Sequence, residues 1–268
     1  MNHNPNLEIL QNKLGFLCDM DGVIYHGDRL LEGVPEFVRW LERSGKQYLF
    51  LTNGSGRTPL ELQQKLARMG LEVDVAKFYT SALATARFLQ SQSPGCSAYI
   101  IGEPGLSNAL YDVGITMNDV NPDYVVVGET KNYSYSHIAR AVRHVRNGAK
   151  LIGTNSDMTN PGEDGIEPAC RALIAPIELA SERKAYFIGK PNALMMRTGL
   201  RMLGCRTSEA AMIGDRMDTD IVAGIETGID TVLVLSGVTS VKRMKTFPYR
   251  PQYILNGVGD IVQELSVQ

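Results

Sequence analysis

Two aspartates one residue apart, Asp19 and Asp21, close the apolar run in FLCDMDGVIY, and Gly22 follows directly. In an extended segment positions two apart face the same way, so the spacing predicts that both carboxylates point into one site while Met20 turns away. Side by side they repel: at about 4 Å and an effective dielectric near 20, each like-charge pair costs on the order of 4 kcal/mol. Such a site needs cations. Magnesium takes oxygen ligands and keeps several waters, which suits Asp19, the Asp21 backbone carbonyl, Asp215 and water, with Lys190 as a second positive charge. Held ionised, Asp19 can attack phosphorus and form an aspartyl-phosphate. Asp21 could protonate the leaving oxygen and then deprotonate the hydrolytic water. Thr52, Asn53 and nearby backbone amides would bind the phosphoryl oxygens as their charge redistributes.

These residues need elements that bring them together. Short apolar runs alternate with helix-length amphipathic stretches, LGFLCD then VPEFVRWLERSG, YLFLTN then PLELQQKLARMG, and onward through AYIIG, DYVVVG, AKLIGT, AYFIGK, AAMIGD and DTVLVLSG. Pro35 and Pro59 lie near the starts of the first two helices and Gly45 and Gly70 just past their ends. The pattern predicts an α/β fold with a parallel, Rossmann-like sheet. Asp19, Thr52 with Asn53, Lys190 and Asp215 each follow one of the apolar runs, and ligands of open parallel sheets sit outside the carboxyl ends of the strands. The long interval between Thr52 and Lys190 predicts an inserted α/β domain at residues 80–181, with a discontinuous core made of 1–79 and 182–268.

Composition narrows the function. A formal net charge of -2 with mixed signs gives no basic stripe for a nucleic acid polymer. No apolar stretch approaches membrane-spanning length, and MNHNPNLEIL lacks a basic region followed by an apolar run, so a cytoplasmic protein is expected. Cys18, Cys96, Cys170 and Cys205 are too far apart for a zinc ribbon or redox pair and read as reduced and packed. A thiol phosphatase built on Cys18 would need an arginine six positions on, where Ile24 stands. GSGRTP has Pro59 in place of the third glycine of a dinucleotide loop, and IGKPN lacks the upstream glycine of a triphosphate loop. The four histidines show no metal-ligand spacing.

Alone, DMDG reads as an acidic turn, and LTN or GK as an ordinary turn start. Together and in order, DMDGV, LTNG, GKP and GDRMDTD resemble the four motifs of the haloacid dehalogenase superfamily. The chain is most similar to its NagD-like phosphatases, whose capping domain lies between the second and third motifs; only residues 1 to about 13 lack a counterpart. The resemblance implies Asp19 as nucleophile, Asp21 as acid and base, Thr52, Asn53 and Gly54 at the phosphate, and Lys190 neutralising its charge. It further implies Asp215 as metal ligand, Asp220 supporting the Mg2+ through water, and IYHGDRLLEG as a flap beside the substrate. Gly54 stands where a second asparagine is frequent. The stretch GTNSDMTNPGEDGIEPAC, residues 153–170, resembles the family's substrate-specificity segment, with Ser156 where many relatives carry proline. Asn155 and Asp157 are its candidate specificity residues, and Glu163 belongs to the same loop.

The implied substrate is a small phosphorylated metabolite, nucleoside monophosphates first and sugar phosphates next. Hydrolysis is the leading activity. A phosphotransferase would use the same Asp19 intermediate, and a non-catalytic phosphate or metal-binding regulator would need no nucleophile and acid together. An exposed apolar face on the cap would support a homo-oligomer.

Overall fold

The computed structural model describes residues 7–162 and 165–263. These described residues fall into two compact units, one within 7–52, 63–78 and 196–263, the other within 53–62, 79–162 and 165–195.

A six-stranded sheet organises the first unit, in the order Tyr253–Leu255, Asp230–Val234, Ala210–Gly214, Gly15–Asp19, Gln47–Thr52, Phe78–Thr80. The first five are mutually parallel. Every residue of Gly15–Asp19 and of Ala210–Gly214 is buried, as expected of strands covered on both faces. On one face the Val34–Arg43 helix sets Phe37 and Trp40 edge-on against Phe16, with centroids 6.3 and 5.6 Å apart. From Gly15–Asp19 the chain proceeds to Gln47–Thr52 on one side, whereas Ala210–Gly214, on the other side, continues toward Tyr253–Leu255. The order therefore reverses between Gly15–Asp19 and Ala210–Gly214. Asp19 ends one of these strands and Asp215 directly follows the other, the position at which open α/β sheets bind ligands.

The second unit holds a five-stranded parallel sheet, in the order Tyr186–Phe187, Lys150–Gly153, Tyr124–Val127, Ser97–Ile101, Thr116–Met117. Its core packs Tyr99, Val125, Val127 and Leu151 with Ala141 and Val145 of one helix and Ile174 and Ile177 of another. Thr159–Gly162 and Gly165–Pro168 form a separate antiparallel ribbon.

Two expectations are corrected by this topology. The strand before Lys190 pairs with Lys150–Gly153, register Tyr186 to Ile152 and Phe187 to Gly153, so it belongs to the second sheet and not to the one carrying Asp19. A two-residue strand is apolar enough for either sheet; the partner edge decides. The extended segment also stops at Asp19. The N–H groups of Val23, Ile24 and Tyr25 all turn back onto the Met20 carbonyl, so strand alternation does not govern Asp21. Met20 is fully buried, while the Asp21 side chain is 57% exposed and lies 4.0 Å from His26.

Candidate active site

In the first unit Asp19, Asp215 and Asp220 each offer a carboxylate oxygen, and these atoms lie within 4.8 Å of one another. Asp220 comes from the Met217–Ile221 turn and brings a carboxylate oxygen into the same cluster. All three are buried. Backbone donors aim two of them: the Val238 N–H donates to Asp215 Oδ2 at 2.7 Å and the Arg216 N–H to Asp220 Oδ2 at 3.0 Å.

The backbone closes tightly around Asp215. A Cβ at Gly237 would lie 2.1 Å from its Oδ2, and one at Gly22 2.6 Å away, so a side chain at either position would displace that carboxylate. Ser236 Oγ ties the two segments by donating to the Gly22 carbonyl at 2.7 Å. Three hard oxygen donors, buried and crowded at a strand-order reversal, fit a magnesium-sized cation, because their mutual repulsion needs a compensating charge. Beside them the Cys18 thiol is driven upward by burial, with Asp19 adding to the rise, so it stays protonated and is no nucleophile.

The second unit begins at Asn53, the residue after Thr52, and holds a polar network instead. The Asn53 amide donates to Asp157 Oδ2 and to the Lys190 carbonyl, each at 3.0 Å, while its Oδ1 accepts from the Lys190 N–H at 2.8 Å. Its two amide hydrogens are thereby committed within the protein. Asn155 is fully buried: Nδ2 donates to the Asn53 carbonyl at 2.7 Å and to Glu129 Oε1 at 2.9 Å, and Oδ1 accepts from the Asp157 N–H at 3.1 Å. Asn155 and Asp157 thus brace loops within the second unit. Lys190 is 2% exposed, and Gly54 half-buried. Glu163 lies outside the described residues.

Glu129 was not singled out in the sequence. The available signal was its place directly after DYVVVG, the same strand-end position that marks Asp19 and Asp215. Burial pushes its carboxyl above the usual glutamate range; bonds from Ser55, Asn155 and Asn160 oppose the rise and Asp157 adds to it.

A family model described as haloacid dehalogenase-like hydrolase matches residues 16–116, and a related hydrolase-like model matches 187–261. The dihydroxyacetone phosphatase of Corynebacterium glutamicum is 40% identical over 248 residues, 92% of this chain and 90% of the relative. The chain belongs to the haloacid dehalogenase-like hydrolases. Within them it is NagD-like: the ribonucleotide monophosphatase NagD of Escherichia coli K12 is 40% identical over 245 residues, 91% of this chain and 96% of that protein. The solved NagD structure superposes with a TM-score of 0.88 over 93% of this chain and 98% of that one. The acid sugar phosphatase of Staphylococcus saprophyticus is 37% identical over 258 residues, 96% of this chain and all of the relative.

The fold is accordingly the family's Rossmann-like core with an inserted α/β cap. This NagD-like chain is a phosphoric monoester hydrolase acting on small phosphorylated compounds. No helix among the described residues is long and apolar enough to cross a membrane.

Proposed function

We propose that this phosphatase is magnesium-dependent and works through an aspartyl-phosphate on Asp19, with nucleoside monophosphates or sugar phosphates as substrates. The observation carrying this reading is the meeting of the Asp19, Asp215 and Asp220 oxygens within 4.8 Å at the reversal of strand order. Magnesium held there would offset the charge of these carboxylates and of the phosphate dianion.

Asp19, buried at the end of its strand, attacks phosphorus; the bond from phosphorus to the ester oxygen breaks and Asp21 gives that oxygen its proton. Asp21 is placed for this exchange at the turn that directly follows Asp19, with its side chain 57% exposed. It then removes a proton from the water that attacks the phosphoryl group, and free phosphate leaves with Asp19 regenerated. Thr52 and the backbone amides of the Asn53–Gly54 loop bind phosphoryl oxygens, and Lys190 balances their charge. The Asn53 side chain holds the Lys190 backbone instead of reaching for phosphate. Residues 80–181 form the cap that selects the substrate. The diversity of the relatives' names, a dihydroxyacetone phosphatase, a ribonucleotide monophosphatase and an acid sugar phosphatase, supports keeping both substrate classes.

The test is release of free phosphate from a panel of nucleoside monophosphates, sugar phosphates and pyridoxal phosphate, with magnesium and after chelation. Magnesium-restorable hydrolysis of a nucleotide or sugar ester is expected. Full activity in chelator overturns the metal, and alcohol released in excess of phosphate would reveal transfer to a second acceptor.

A further inference from the structure

Glu129 follows the Tyr124–Val127 strand after one glycine and gathers donors from three segments of its unit. Its Oε2 accepts from the Ser55 N–H at 2.9 Å, and its Oε1 from Asn155 Nδ2 at 2.9 Å and Asn160 Nδ2 at 3.3 Å. In return its own N–H donates to Ser55 Oγ at 3.1 Å. The approach is close: a Cβ at Gly128 would stand 2.6 Å from that hydroxyl oxygen. Asn155 passes the constraint on by donating to the Asn53 carbonyl, and Asn53 holds the Lys190 backbone from both sides.

The backbone N–H of Ser55 and the side-chain amides of Asn155 and Asn160 all donate to the carboxylate, so the position calls for an acceptor on both oxygens. A glutamine of the same shape would turn its own NH2 toward at least one N–H. We propose that Glu129 is a positioning residue for phosphate binding, an acceptor clasp that fixes the Asn53–Ser55 loop against Asn155 and Asn160 and thereby sets the backbone at Lys190. The inference rests on the reading that this loop and Lys190 bind the phosphoryl group. Its physical basis is preorganisation: amides and a lysine that must meet phosphoryl oxygens are effective only if the backbone carrying them is held in place.

Steady-state kinetics on 4-nitrophenyl phosphate at saturating magnesium, with inorganic phosphate as competing ligand, would test this in wild type, E129Q and E129D. In E129Q, KM and the inhibition constant of phosphate should rise together by about tenfold, with half-saturating magnesium within about twofold of wild type. E129D keeps the charge but is one methylene short, and should fall between. A merely structural role would lower kcat through loss of folded molecules and leave the phosphate affinity of the remainder unchanged. An inhibition constant within about twofold of wild type in E129Q therefore overturns the proposal; if E129Q does not fold, the same comparison in E129D decides. A wild-type protein that releases no phosphate from any ester fails the underlying reading and takes this inference with it, whereas an active wild type with an unaltered E129Q removes the clasp alone.

Discussion

In the unit of the six-stranded sheet, three aspartates bring oxygens within 4.8 Å of one another, and backbone N–H groups of Arg216 and Val238 aim two of them. In the other unit, Asp157 and Glu129 accept from the side-chain amides of Asn53, Asn155 and Asn160. Both regions bury carboxylates, yet the surroundings differ in what they leave for chemistry. Backbone donors orient a carboxylate while three negative charges still crowd one place, which favours a cation. Side-chain amides tie loops to one another, and a carboxylate so used is a fastening. A buried acid is therefore read by its partners and its company, and burial alone does not distinguish ligand from brace.

The sharpest way to break this contrast is at Asp19. Asp19→Asn should lower phosphate release by about three orders of magnitude or more with the circular dichroism spectrum intact; substantial residual turnover would remove it as nucleophile. Next is the crowded backbone at Asp215. Gly237→Ala puts a methyl group where 2.1 Å is available and should raise half-saturating magnesium by about tenfold, read by titrating activity and by isothermal calorimetry of the metal. An unchanged metal titration would mean that Asp215 does not depend on this contact.

In the amide network the leading effect should be on stability. Asn53→Ala removes three side-chain hydrogen bonds and strands the buried partners, which should lower unfolding free energy by about 2–4 kcal/mol in urea titration, without shifting half-saturating magnesium. A metal shift there would blur the contrast between the regions. The smallest effect concerns pH. Because burial raises the Glu129 carboxyl, the folded state holds that proton more tightly than the unfolded chain. Stability from this group is therefore lost as pH rises from the ordinary glutamate range through the raised value, and regained on acidification. The melting temperature of wild type relative to E129Q should rise by about a few degrees as pH falls from neutrality through that window. A gap that is constant with pH would show a carboxyl with no net preference for the proton.

The strand-end aspartates were legible without coordinates. GFLC and AAMIG are apolar runs that must be buried on both faces, and whatever follows such a strand emerges at the carboxyl edge of the sheet, as Asp19 and Asp215 do. Other features depended on partners far away in the chain. The direction of an asparagine amide is set by its acceptors, and those of Asn53 lie at Asp157 and Lys190, more than a hundred residues on. Likewise the two-residue Tyr186–Phe187 strand joins the sheet whose edge meets it, and a turn onto the Met20 carbonyl ends the extended segment at Asp19. Sequence by itself determined the parallel α/β class, the family and the acids at strand ends, because burial periodicity and local motif spacing are properties of contiguous residues. Tertiary structure decided that Asp220 joins Asp19 and Asp215, that Asn155 braces a loop and that Glu129 fastens three segments, because hydrogen-bond direction and close approach exist only once distant segments are packed.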